Sequence, residues 1–141
     1  MLFRRFNPYK ELLKASDRVE KAYNLLIGAS MLESSSSTSA KVKTSIGPML
    51  KSLSGKHGIS KMIVKLRTIA FKELTKSISI IEKILRRKDY RVDVVREDLE
   101  NILNELRKLV ELGYTNGVEG KIRSIADRIH RVEDVLWRMN R

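Results

Sequence analysis

The amino-acid sequence predicts an all-α fold, a four- or five-helix bundle with a C-terminal antiparallel α-hairpin. Apolar residues recur at spacings of three and four through most of the chain, as on one face of a helix. No segment sustains the alternation of a strand; Ser77-Ile78-Ser79-Ile80-Ile81-Glu82 alternates briefly, but the helical period continues on both sides of it. The interruptions are serine-rich, or are short turns built on Gly, Asn and Asp. At 141 residues the chain fits a single helical domain, 1–141, large enough to bury one core.

The elements follow in order. Asn7-Pro8 starts the first helix, with Asn7 as N-cap and Pro8 at the first helical position, where its missing N–H costs nothing. Leu12, Ala15, Val19, Ala22, Leu26 and Ala29 form its apolar face, and the polar run 34–39 predicts a loop after it. A shorter helix is expected on Val42, Ile46, Met49 and Leu53, kinked or divided at Pro48, with the next break at Ser54-Gly55-Lys56-His57-Gly58. The longest pattern runs over 59–88 on Ile59, Ile63, Leu66, Ala70, Leu74, Ile81 and Ile84, and Asp89-Tyr90 is a short connection.

Val92, Val95, Leu99, Ile102, Leu106 and Leu109 carry the next helix, which Gly113 should cap. After the turn 114–117, Val118, Ile122, Ile125, Ile129, Val132, Leu136 and Met139 complete the chain. The heptad-like period of these two segments and the short turn between them predict the hairpin, 91–141.

Charge is the most informative bulk property. The net charge is +12, and residues 1–55 carry nine Lys/Arg against four Asp/Glu, residues 56–90 ten against three, and residues 91–141 ten against ten. The whole excess precedes Arg91, which points to an anionic partner for the first part and packing or assembly for the second. No apolar run reaches the roughly 18–20 residues that span a bilayer. The opening residues lack the apolar core of a secretory signal, so a cytoplasmic compartment is expected. Cysteine is absent, which excludes thiol chemistry and cysteine metal sites. Glutamine is absent as well, a thermophile-like composition.

On the wheel of the long helix, Lys61, Lys65, Lys72, Lys76, Lys83, Arg86 and Arg87 fall in one sector, well away from the apolar stripe. Glu73 and Glu82 project off this ladder. Such a line of one sign attracts phosphates or an anionic lipid surface, and the predominance of Lys over Arg favours contacts that do not read sequence. A basic and aromatic arm, 1–6, precedes the first cap, with Leu2, Phe3 and Phe6 interleaving with Arg4 and Arg5. It fits membrane insertion, an arm on nucleic acid, or a hydrophobic staple on the first helix. Met1-Leu2-Phe3-Arg4-Arg5-Phe6, ahead of basic amphipathic helices, resembles the openings of ESCRT-III and phage-shock (PspA-type) membrane-remodelling proteins. The resemblance implies membrane-binding or filament-forming behaviour. The serine-rich break after the first helix departs from the long early hairpin of those families.

Several chemical motifs fail on spacing. Gly47 and Gly55-Lys56-His57 lack the glycine spacing, the Ser/Thr and the preceding strand of a phosphate-binding loop. Asp127 and His130 have the spacing of a di-iron bundle pair, but no second pair exists and both should face solvent. Glu97, Asp98, Glu100, Glu133 and Asp134 interleave with arginines and read as unburied surface ion pairs. Trp137 lies off the core stripe and is a candidate protein interface.

The leading expectation is a non-enzymatic protein, without cofactor or metal, that binds DNA or RNA through phosphates by the ladder and by Arg4 and Arg5. One alternative is a peripheral membrane or filament-forming protein on an anionic membrane surface, inserting Leu2, Phe3 and Phe6. Another is a small helical adaptor subunit of a larger protein or ribonucleoprotein assembly, with the C-terminal hairpin open to self-association or a protein partner.

Overall fold

The computed structural model describes residues 5–37 and 55–140, and four helices hold most of them: α1 (Pro8–Ser37), α2 (Gly55–Leu85), α3 (Tyr90–Leu112) and α4 (Val118–Met139). The expected short helix around Pro48 lies outside the described residues, as do Leu2, Phe3 and Arg4. There is no strand among the described residues.

The helix ends follow local chemistry. Asn7 Oδ1 accepts the Lys10 N–H (3.3 Å), which caps α1 with Pro8 in its first turn. Asp89, in extended conformation, caps α3 by accepting the Arg91 N–H (2.8 Å). Gly113 ends α3 at φ 72°, a left-handed region that favours glycine, and its N–H bonds to the Leu109 carbonyl (3.0 Å).

The described part of each of two expected breaks is helical instead. α1 continues through Ser34 to Ser37, one turn beyond the buried Leu32, because serine costs a helix only a few tenths of a kcal/mol per residue. α2 begins at Gly55 rather than after Gly58. Glycine inside a helix costs about 1 kcal/mol, offset here by Ile59, Met62, Ile63 and Leu66 packing with Ala29 and Leu32.

The predicted stripes are the observed core. Leu12, Val19 and Leu26 of α1, Leu74 and Ile81 of α2, Leu99 and Leu106 of α3, and Ile122, Ile129 and Leu136 of α4 are all buried in one cluster. Contacts across each seam run in opposite senses. Arg18 meets Glu73 and Glu33 meets Arg67 between α1 and α2; Glu82 meets Arg107 and the Leu85 carbonyl meets Arg96 between α2 and α3. Arg91 meets Asn140 and Glu105 meets Arg128 between α3 and α4; Glu20 meets His130 and Ser30 meets Glu119 between α1 and α4. Each helix is therefore antiparallel to both neighbours, and the four close into an up-down-up-down ring. The α1–α2 seam is the most extensive, with Ala15, Ala22 and Ala29 on the buried face of α1 allowing close approach.

Two carboxylates are buried. Glu73, 3% exposed, receives a hydrogen bond from Arg18 (2.9 Å) and lies within ion-pair distance of Lys76 (3.2 Å) and Lys21 (3.7 Å). The Arg18 hydrogen bond, with help from both lysines, holds its carboxyl below the usual carboxylate value against the opposing effect of burial. Glu133, 5% exposed, corrects the expectation that no carboxylate of the last helix is buried, and His130 likewise does not simply face solvent. Its ring bridges two helices, with Nε2 at 2.7 Å from Glu20 and Nδ1 at 2.8 Å from Glu133. Only the doubly protonated ring can donate both bonds. The Glu20 bond, then the Glu133 bond, raise the His130 pKa above 6.5 despite burial.

Glu73→Gln removes the charge while keeping the shape, and its partners are half-exposed and screened. It should lower unfolding stability by about 1–3 kcal/mol near neutral pH. Because the folded pKa is depressed, that difference should persist above the ordinary carboxylate value and vanish as pH falls through the folded one, as read by urea unfolding across acid pH. His130 has the opposite sign: its stabilisation is complete below 6.5 and is lost as pH rises through the raised folded pKa. His130→Ala should therefore be less stable than the native chain at about pH 6, and the gap should close as pH rises through the raised folded pKa.

Candidate functional site

Burying the apolar stripe of α2 against α1 and α3 turns its opposite side to water. Lys61, Lys65, Lys72, Lys76 and Lys83 are all exposed there, along about 33 Å of helix. Arg86 and Arg87 are exposed just past the end of α2 rather than within it. Their N–H groups bond to the Glu82 carbonyl (3.2 Å) and the Ile84 carbonyl (3.1 Å), carrying the last turn on. Successive lysines are about 6–10 Å apart along the axis, close to the ~8 Å screening length at physiological salt, so their fields overlap.

The nearby carboxylates leave most of this charge standing. Glu73 is one negative group facing three positive ones, Arg18, Lys21 and Lys76. Its contact with Lys76 corrects the reading that Glu73 projects wholly away from the ladder. Glu82 is engaged by Arg107 of α3, and Asp89 by Arg91 (2.8 Å). Among the described residues, Lys61, Lys65, Lys72, Lys83 and Arg86 make no ion pair. The other half of the bundle carries some pairs of its own, as in Arg96–Asp93 (3.1 Å), Arg123–Asp127 (3.7 Å) and Arg128–Glu105. Asp127 is exposed, as expected.

The ladder ends in a groove of about 760 Å³ between the start of α1 and the end of α2. Arg5, Lys10 and Lys14 line one side and Lys83, Arg86 and Arg87 the other. Its one carboxylate, Glu11, is paired with Lys14 (2.9 Å). Phe6 is half-buried against the core, and the Arg87 guanidinium lies 4.4 Å from its ring centre. Phe6 is thus engaged as part of the groove wall, while the rest of the arm lies outside the described residues, apart from Arg5.

The groove brings together ladder residues and two that the sequence reading missed, Lys10 and Lys14. Their spacing of four, off the α1 stripe, was a visible signal. The missing information was that the start of α1 lies beside the end of α2. Trp137 is 50% exposed on α4, and its ring packs on Tyr9 at 5.2 Å between centres with a 48° tilt. Tyr9, too, was missed.

Among the described residues no group of three or more His, Cys, Asp or Glu side chains is placed to hold a metal ion. No helix among them is long and apolar enough to cross a membrane. The chain matches no family model, no curated protein and no solved structure.

Proposed function

We propose that the protein is a non-enzymatic helical module that binds nucleic acid through phosphate contacts, with little sequence preference. The observation that carries the reading is the exposed cation line on α2, continuous with the groove at its end and left largely unpaired by nearby carboxylates. Each phosphate bound there releases condensed counterions, so affinity comes chiefly from charge.

The residue types support weak sequence reading. Five of the seven ladder cations are lysines, compact and strongly hydrated charges on flexible stems. Base reading draws on bidentate Arg, Asn or Gln placed in a groove of the duplex, and the ladder offers only Arg86 and Arg87 of these. Lys61 to Lys83 would therefore hold the backbone, with the cations of the groove extending the track towards the start of α1. Arg4, expected to act alongside Arg5, belongs to the same basic arm.

The test is binding of the purified chain to labelled DNA and RNA over a salt series, with anionic vesicles of phosphatidylglycerol and phosphatidylcholine in parallel. Log affinity should fall linearly with log salt, with a slope of about −0.7 to −0.9 per phosphate engaged. Reversing Lys65, Lys72 and Lys83 together to Glu should weaken binding by at least about tenfold at low salt and flatten the slope by roughly two to three. Lys76 is left intact because a carboxylate there would face Glu73. Binding to vesicles without binding to nucleic acid contradicts the reading, as does binding to neither near physiological salt.

A further inference from the structure

The groove lies at the end of the bundle where α1 and α3 begin and α2 and α4 finish, and that end is also aromatic. Phe6, Tyr9, Tyr90 and Trp137, half of the chain's eight aromatic residues, gather there. Arg91 ties together the segments that carry Phe6, Tyr90 and Trp137. Its guanidinium donates to Asp89 (2.8 and 3.0 Å), to Asn140 Oδ1 beyond α4 (3.0 Å) and to the Phe6 carbonyl ahead of α1 (3.1 Å).

This one side chain thereby joins the α2–α3 corner, the end of α4 and the segment before α1. Asn140 also donates to Asn7 Oδ1 (3.4 Å). Tyr90 adjoins the hub, and Trp137 lies one turn before Asn140, about 5 Å along the helix axis. Tyr90 is 68% exposed and Trp137 50% exposed, so the most exposed rings among the described residues stand on a braced frame, at the same end of the bundle as the groove cations.

The cations gathered at this end suit a polyanion, and the exposed rings suit one that also carries flat, stackable groups. We infer that this end of the bundle is a stacking platform for single-stranded nucleic acid: bases stack on Trp137 and Tyr90, and the adjoining phosphates run into the groove of Lys10, Lys83 and Arg86. The inference rests on the nucleic-acid reading and narrows it, since duplex bases are stacked on one another and offer no free face to these rings. Base–aromatic stacking is tolerant of sequence, and a cationic track beside it holds the backbone. α1 separates the groove from Trp137, and neighbouring helix axes are about 8–10 Å apart. That distance is within the reach of two or three extended nucleotides.

Trp137 is the chain's sole tryptophan and reports directly on the site. The full chain is titrated with a mixed-sequence DNA strand, with the duplex of the same sequence, and with phosphatidylglycerol vesicles. Quenching of Trp137 by the single strand and not by the duplex is the expected result. Trp137→Ala and Tyr90→Ala should each weaken single-strand binding by about five- to a hundredfold and leave duplex binding unchanged, while Trp137→Phe keeps most of the affinity. Circular dichroism checks folding, and the exposed Tyr90 provides a second variant if Trp137→Ala unfolds.

If single strand and duplex bind equally, without quenching and without loss in the aromatic variants, the platform is refuted while the nucleic-acid reading stands. Quenching by vesicles alone gives this end to a membrane and overturns the platform. If no nucleic acid binds at all, the broader reading falls, and the platform with it.

Discussion

Four apolar stripes share one core, and burying them fixes the rotation of every helix about its own axis. Once Leu74 and Ile81 face inward, Lys61, Lys65, Lys72, Lys76 and Lys83 face outward, because the two sets lie on opposite sides of the same helix. Full burial of a leucine or isoleucine is worth about 1.5–3 kcal/mol, and many are buried here. The mutual repulsion of solvated lysines is screened and far weaker. Packing therefore outweighs the charge crowding that it creates on the α2 surface.

The acidic residues near this crowded face are used to join helices. Glu73 draws Arg18 and Lys21 of α1 across to α2, Glu82 draws Arg107 from α3, and Asp89 caps α3 while holding Arg91. The same residues that tie the bundle together thus leave Lys65, Lys72, Lys83 and Arg86 uncompensated. The pair α3 and α4 differs in its balance, with ten Lys/Arg against ten Asp/Glu over residues 91–141, some of them matched in Arg96–Asp93, Arg123–Asp127 and Arg128–Glu105. One chain therefore sets a strongly basic half against a charge-balanced one, the pattern expected if stability and recognition are assigned to different helices.

Much of the fold was legible in the sequence because helical period depends only on local spacing. The stripes of α3 and α4, the Asn7 and Gly113 caps and the outward ladder of α2 all follow from residues within a few positions of one another. The helix ends at Ser34–Ser37 and Gly55–Gly58 were not legible. Serine's small helix cost lets α1 run on past Leu32, and packing of Ile59 and Ile63 with Leu32 offsets the glycine cost at the start of α2; apolar spacing marks neither outcome. The His130 bridge was hidden for a related reason: a wheel shows what lies off the stripe of one helix, and Glu20, its α1 partner, is 110 residues away. The groove needed the direction of α2 beside α1, which periodicity does not encode. Lys10, Lys14 and Tyr9 consequently joined the site only once the helices were assembled.

If the α2 face binds nucleic acid, bound strands must cover particular lysines and leave others open to solvent. Lysine acetylation by a small reagent, quantified at each position by mass spectrometry with and without saturating nucleic acid, maps the covered ones in the native chain. The account predicts protection at Lys61, Lys65, Lys72, Lys83 and Lys10, with unchanged reactivity at Lys108 and Lys121 on the neutral helices. Uniform protection across all of these lysines, or protection confined to Lys108 and Lys121, would contradict it.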